Sequence, residues 1–354
     1  MRAVKLLLSV GGLALCTAAY AAAAADLLSI YREAQSADAV YAAARASYAA
    51  GQEKLPQGLS GLLPVVTFAG NTQFNDRDLE FRNTTPGAAT ASGNSRFNSN
   101  GISVTATQPL FRFQNWITYE QAKNQVSQAE AAFLLANQDL ILRVAQAYFD
   151  VLLAQNNVTL AAAQKTAFAE QLAQAKRHFE VGTATITDAN DAQARHDLAV
   201  SQEISAQNDL EIKKQALRQV IGRMPPELAK FGRRFTPQLP TPNNMDQWVD
   251  NGAASSLQVK IAQSNLDIAA QDVTKNRSGH LPTLDAVASY SEAAQAVGIQ
   301  GGAGFDNTTK FIGLQLAVPL YQGGLVTSKV REALANQDKA RQDLENMTRN
   351  VALI

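Results

Sequence analysis

Residues 65–74 read VVTFAGNTQF. In an extended chain successive side chains point to opposite sides, so Val66, Phe68, Gly70, Thr72 and Phe74 share one face while Thr67, Asn71 and Gln73 share the other. Three further stretches repeat the alternation. One sets Ile102, Val104 and Ala106 against Ser103, Thr105 and Thr107, another aligns Leu284, Ala286, Ala288 and Tyr290, and the last aligns Ile312, Leu314, Leu316 and Val318. Within each pair lies a polar stretch, NDRDLEFRNTTPGAATASGNSR at 75–96 and EAAQAVGIQGGAGFDNTT at 292–309, which reads as a hairpin loop. Four strands, each with two unlike faces, are therefore expected.

What those faces meet depends on their flanks. From 115 to 181 the chain has neither Gly nor Pro, and apolar residues recur at Ala122, Val126, Ala129, Phe133, Leu140, Val144, Tyr148, Val151 and Val158. Spacings of mostly three, four and seven predict one helix of roughly 67 residues, on the order of 100 Å long. Such a rod suits a coiled coil or a tube of helices, and the helix alone does not choose between them. It stops at HFEVGTATITDANDAQA, residues 178–194. Gly182 suits the left-handed position after a helix end, and Thr187 or Asp188 suits an N-cap, so two antiparallel helices should meet here.

The chain also repeats itself. Residues 26–64 can be laid on 244–282 without a gap, with GLLPVVTFAGN from Gly61 parallel to GHLPTLDAVAS from Gly279. TQPLFRFQNW from Thr107 likewise resembles AVPLYQGGLV from Ala317. The expected domains are a first repeat over 26–240 and a second over 241–354, joined by the Pro-rich segment RMPPELAKFGRRFTPQLPTPNN, 223–244. After Pro319 only 35 residues remain and the sequence stops inside a helical pattern. The expectation is a second repeat short of about 100 residues, a natural short form being the alternative.

The first residues, MRAVKLLLSVGGLALCTAAYAAAAAD, have Arg2 and Lys5, then an apolar run, then Ala23-x-Ala25 before Asp26. This is the pattern of a secretory signal peptide over 1–25, cut after Ala25 or a few residues earlier, and its apolar part is shorter than the ~20 residues of a spanning helix. Cys16, the only cysteine, would leave with it; as a lipidation site it is poorly preceded, by Leu15. Lys+Arg and Asp+Glu balance at 31 each, so no basic field points to nucleic acid.

An exported chain with alternating strands of roughly ten residues and polar loops fits an outer-membrane β-barrel. Four strands cannot close one, and open edges are not tolerated in lipid, so several chains must share a barrel. Two would give a packed interior and three would give twelve strands and a lumen. Three suits the small polar residues of the inner face better. The expected fold class is an α+β membrane protein: long antiparallel helical hairpins forming an α-barrel, plus four strands per chain in a trimeric twelve-stranded outer-membrane β-barrel.

The sequence resembles the TolC and outer-membrane efflux family. The resemblance runs along the mature chain and rests on the YxxA helix at Tyr31, LLP before the first strand, QPLF before the long helix and AYFDVLLAQ from Ala147. It continues with HFEVGTATITD from His178, LRQVIG from Leu217, GHLPTLD from Gly279 and VPLYQGG from Val318. It implies a homotrimeric exit duct in outer-membrane lipid with its helices in the periplasm. That duct would serve type I protein secretion and multidrug efflux with a periplasmic adaptor and an inner-membrane ABC or RND pump. It implies that Val181, Gly182, Thr183, Ala184, Thr185 and Ile186 form the adaptor-contact tip, with Thr183 where many relatives have Leu. It implies a gating lock using Asp188 and Gln171, whose partners belong to a second half that this chain lacks; read without it, Asp188 is a plain helix cap and Gln171 a solvated residue.

No enzyme, cofactor or metal is expected. His178, His196 and His280 have no ligand-like spacing, and GIQGGAG at 298–304 lacks the Gly-Lys-Ser/Thr of a phosphate loop. The competing readings are an exported coiled-coil spacer or adhesin and a periplasmic adaptor, the latter without the lipoyl-like β domain it should carry.

Overall fold

The computed structural model describes residues 24–79, 93–230, 241–297 and 303–354. The expected leader up to residue 23, the centres of both hairpin loops with most of the GIQGGAG stretch, and residues 231–240 of the Pro-rich connection lie outside the described residues.

The elements run α1 (Leu27–Ala37), α2 (Ala39–Gln52), α3 (Lys54–Ser60), β1 (Val65–Leu79), β2 (Gly93–Phe111), α4 (Phe113–Glu180) and α5 (Ile186–Ile221). They continue with α6 (Met245–Ser255), α7 (Leu257–Arg277), a 3-10 turn (Ser278–His280), β3 (Thr283–Val297), β4 (Ala303–Ala317) and α8 (Leu325–Leu353). The long helix α4 is continuous over 68 residues.

The strands form one antiparallel sheet in the order β1-β2-β3-β4. Its register makes the sequence alternation continuous across strands: Ala106 lies between Val66 and Ala288, and Ala288 opposes Ile312. Val104 likewise lies between Phe68 and Tyr290, and the four expected apolar faces merge into one. The strands are longer than expected, at 15, 19, 15 and 15 residues, and they run into both stretches read as loops. Polar cross-strand bonds carry the extension: Arg96 to Asp76 at 3.0 Å, Asn75 to Ser99 at 2.8 Å and Thr72 to Asn100 at 2.6 Å. Hydrophobic periodicity does not report such pairs. At the other end β4 stops at Ala317, so Val318 is outside the strand it was expected to join.

By contacts the chain divides into two compact units, Met1–Ala42 with Asp139–Pro237 and Ala43–Gln138 with Gln238–Ile354. In the first, Ile30, Leu140, Val144, Val151, Leu217 and Ile221 are the largest fully buried side chains. Lys165 reaches Glu203 at 2.6 Å and Lys213 reaches Asp150 at 3.3 Å, pairs that bracket the turn between α4 and α5 and make them an antiparallel hairpin. Asp38, 3% exposed, follows α1 and accepts both Arg143 N–H groups at 2.9 and 3.1 Å and the Tyr41 N–H at 2.6 Å. A buried carboxylate is tolerable only with partners of this kind.

The second unit holds the sheet and the helices around its inner end. Helix α3 lies very close to α4: a Cβ on Gly58 would sit 2.8 Å from the Ala122 Cβ and 3.2 Å from the Tyr119 Cα. A ladder of amides joins α4 to α7, with Gln121 on Asp272 at 2.9 Å, Asn124 on Gln271 at 3.1 Å and Gln128 on Asn265 at 2.7 Å. Tyr48 stacks on Phe133 with ring centroids 5.2 Å apart.

Candidate functional site: the hairpin turn and the two-faced sheet

The turn at 181–185 is built from the end of α4. Gly182 has φ +80°, a conformation in which side chains are strained, and its N–H bonds to the Phe179 carbonyl at 3.0 Å. The His178 carbonyl is the focus of the closure, accepting Thr183 N–H at 2.8 Å, Ala184 N–H at 3.2 Å and the Thr183 hydroxyl at 3.1 Å. The His178 Nδ1 lies 3.0 Å from the same hydroxyl. Helix ends leave carbonyls unsatisfied, and here one short loop satisfies several donors at one of them.

Helix α5 starts two or three residues earlier than expected. Its N-cap is Thr185, not Thr187 or Asp188: the Thr185 Oγ1 accepts the Asp188 N–H at 3.2 Å, and the Asp188 carboxylate accepts the Thr185 N–H at 2.9 Å and hydroxyl at 2.7 Å. This is a capping box with Asp at the third helical position, where its charge also suits the positive end of the helix. The hydroxyl and backbone donors of Thr185 hold the Asp188 carboxyl below its ordinary pKa.

The six tip residues thus sit in one turn. Val181 is 73% exposed and Ile186 54%, whereas the Thr183 hydroxyl is folded back onto α4. Gln171 is exposed on α4, and among the described residues no hydrogen bond joins it to Asp188. Sequence reasoning gave His178 no part in the turn; the only available signal was a Thr five residues later, across a glycine.

The sheet, in the other unit, is a separate candidate. From Val65 to Gln73 and across its partners, one face carries Thr67, Thr105, Ser289, Ser103, Ser291 and Asn71 with no charged side chain. The opposite face carries Val66, Phe68, Val104, Ile312, Leu314 and Leu316, all of them exposed or half-exposed in the single chain, and next to them Lys310, Glu292 and Asp306. At the inner end, where β2 passes into α4, the Arg112 guanidinium grips Asp285 of β3 with two bonds, 2.8 and 2.5 Å. Sequence reasoning missed this pair too. Among the described residues no cluster of His, Cys, Asp or Glu could hold a metal, and no helix is long and apolar enough to cross a membrane.

A two-faced antiparallel sheet continued by a helix of this length defines the class of outer-membrane channels. The family model for outer membrane efflux proteins matches residues 31–223 and 248–353, and the chain belongs to that family. It is 31% identical over 339 residues to the outer membrane protein TolC of Vibrio cholerae, covering 96% of this chain and 74% of the relative. It is 31% identical to the proteases secretion protein PrtF of Dickeya chrysanthemi, covering 93% and 71%. The fold is also that of the CmeC outer membrane channel of Campylobacter jejuni, with a TM-score of 0.72 over 90% of this chain and 67% of that one, at 18% identity.

Proposed function

We propose that the chain is one subunit of a trimeric exit duct in the bacterial outer membrane, with its helices in the periplasm, serving type I protein secretion and small-molecule efflux. The observation that carries this reading is the sheet. Among the described residues no strand pairs with the outer edge of β1 or of β4, and one face carries an apolar band, Val66 and Phe68 on β1 and Ile312, Leu314 and Leu316 on β4, bounded on the same face by Lys310 and Glu292. Lipid tolerates neither free edge, and joining β4 of one copy to β1 of the next satisfies both with the antiparallel alternation kept. Three copies give twelve strands whose uncharged polar face surrounds water.

The chain supplies no reaction chemistry in this reading. Transport would be driven by an inner-membrane pump and coupled through a periplasmic adaptor docking on Val181, Gly182, Thr183, Ala184, Thr185 and Ile186. Asp188 and Gln171 would contribute to closing the tip. Residues 26–240 and 241–354 would be copies of one unit behind a cleaved leader, consistent with the order of short helices, two strands and a long helix occurring twice.

Reconstitution tests this. The protein in planar lipid is expected to give discrete conductance steps and to run as a trimer in mild detergent. A folded chain that stays out of lipid, or a trimer that never conducts, would overturn the duct and favour an exported helical spacer.

A further inference from the structure

The run Ala21–Ala25 leaves the processing bond open, because small residues three before and one before the cut are met after Ala21, Ala23, Ala24 and Ala25; only a cut after Ala22, with Tyr20 three residues before the bond, fails. The folded structure discriminates among them. Ala25 forms a parallel bridge to Leu228: its N–H donates to the Glu227 carbonyl at 2.8 Å, and its carbonyl accepts the Ala229 N–H at 2.9 Å. The Tyr148 hydroxyl, on a side chain only 4% exposed, donates to the Ala229 carbonyl at 2.7 Å and lies 3.4 Å from the Ala25 carbonyl. Leu228, in the middle of the bridge, is 3% exposed. Asp26 then caps α1 by accepting the Ser29 N–H at 2.8 Å.

We infer that leader peptidase cuts on the N-terminal side of Ala25, so that Ala25 stays in the mature protein as a strap between α1 and residues 227–229. A cut after Ala25 would remove both backbone partners of Glu227 and Ala229. It would also place the new ammonium on Asp26, against the free N–H groups that open α1, where positive charge is disfavoured. A cut after Ala24 instead leaves the ammonium on Ala25, where it still donates to the Glu227 carbonyl, now with charge assistance.

The inference rests on the leader reading, and one measurement separates the two. The full chain is expressed with its natural N-terminus in a Gram-negative host, recovered from the envelope, and its intact mass and N-terminal sequence are determined. A mature chain beginning at Ala22, Ala24 or Ala25 is the expected result. A chain beginning at Asp26 overturns the inference while keeping the leader, and a chain retaining Met1 overturns both. On the same sample, amide hydrogen exchange at Ala229 should be slowed at least ten-fold relative to an unstructured amide, whereas free exchange there would mean that Ala25 straps nothing.

Discussion

Arg112 and Asp285 meet in a bidentate pair across 173 positions of sequence, binding the residue that opens α4 to the third strand. Asp285 is 6% exposed, so its carboxylate depends on this one guanidinium. The pair fixes where the sheet ends and the helix begins, at the Pro109-Leu110-Phe111 corner that ends β2 and the Leu281-Pro282 corner that precedes β3.

Replacing Arg112 by Ala should leave Asp285 buried and unpaired. A hydrogen-bonded partner of a charge is worth about 1.5–3 kcal/mol, so R112A should lower the unfolding free energy by that order. Asp285→Ala added to R112A should recover part of the loss, because the uncompensated charge goes with it. Thermal unfolding of the two single variants and the double variant in detergent reads the coupling; additive losses would show that the pair is incidental.

The pair was invisible in the sequence, and so were Asp38 with Arg143 and the amide ladder between α4 and α7. All join residues more than a hundred positions apart, and no local period encodes which distant partner a polar residue will meet. The long helix, the hairpin turn and the two-faced strands were legible, since each follows from spacing within ten or twenty residues. The errors fell at boundaries where polar chemistry takes over from hydrophobic pattern. Asn75 and Asp76 extend the first strand, and a hydroxyl and a carboxylate start α5 at Thr185. At the tip the sequence marked the segment but not that Thr183 would turn inward to His178.

Acid should loosen the first unit through Asp38. Burial pushes its carboxyl up, but the Arg143 guanidinium and the Tyr41 N–H outweigh burial and hold it below the ordinary carboxylate value. A folded pKa below the unfolded one means stability present above about pH 4 and lost as pH falls through the folded value. Asp38→Asn should cost about 3 kcal/mol near neutrality, the low end for a broken buried pair because Arg143 is partly solvated. Below pH 4 the wild type should lose stability faster than the variant; parallel decline of the two would show that Asp38 does not carry the effect.

Gly58 and Ala122 set the closest approach of α3 to α4. The added methyl of Gly58→Ala would lie 2.8 Å from the Ala122 Cβ and 3.2 Å from backbone, so the helices must separate. Overpacking of this kind costs about 1–3 kcal/mol. Helix propensity alone would favour Ala at an interior helical position. A stabilised G58A in chemical denaturation would therefore sink the close-packing argument.

Between Val65 and Gln73 the polar face is uncharged, and this band of the barrel should not sort ions by sign. Under a salt gradient its reversal potential should lie near zero, and Thr105→Asp, placing a carboxylate beside Ser289 and Thr67, should shift it toward cation selectivity. If that face met lipid instead, T105D would weaken membrane assembly, because a charge on the lipid face of a barrel is destabilising. Assembly together with unchanged selectivity would place the residue away from the ion path.

Asp188 can be tested as a lock separately from its part in the capping box. Thr185→Ala removes the cap hydroxyl and should cost the hairpin about 1 kcal/mol, seen as faster amide exchange over the first turn of α5. Asp188→Asn keeps a side-chain acceptor for the Thr185 N–H but removes the charge. If the charge holds the tip closed, D188N should raise the time-averaged conductance in planar lipid while exchange across α5 stays close to wild type, and T185A should fray the helix start with a smaller effect on conductance. If Asp188 serves only the helix start, the order reverses, with T185A the more open of the two. Lowering pH should reproduce the D188N effect only below the ordinary carboxylate range, since Thr185 holds the Asp188 carboxyl lower than that. Opening of the wild type at pH 5–6 would therefore assign the gate to another group.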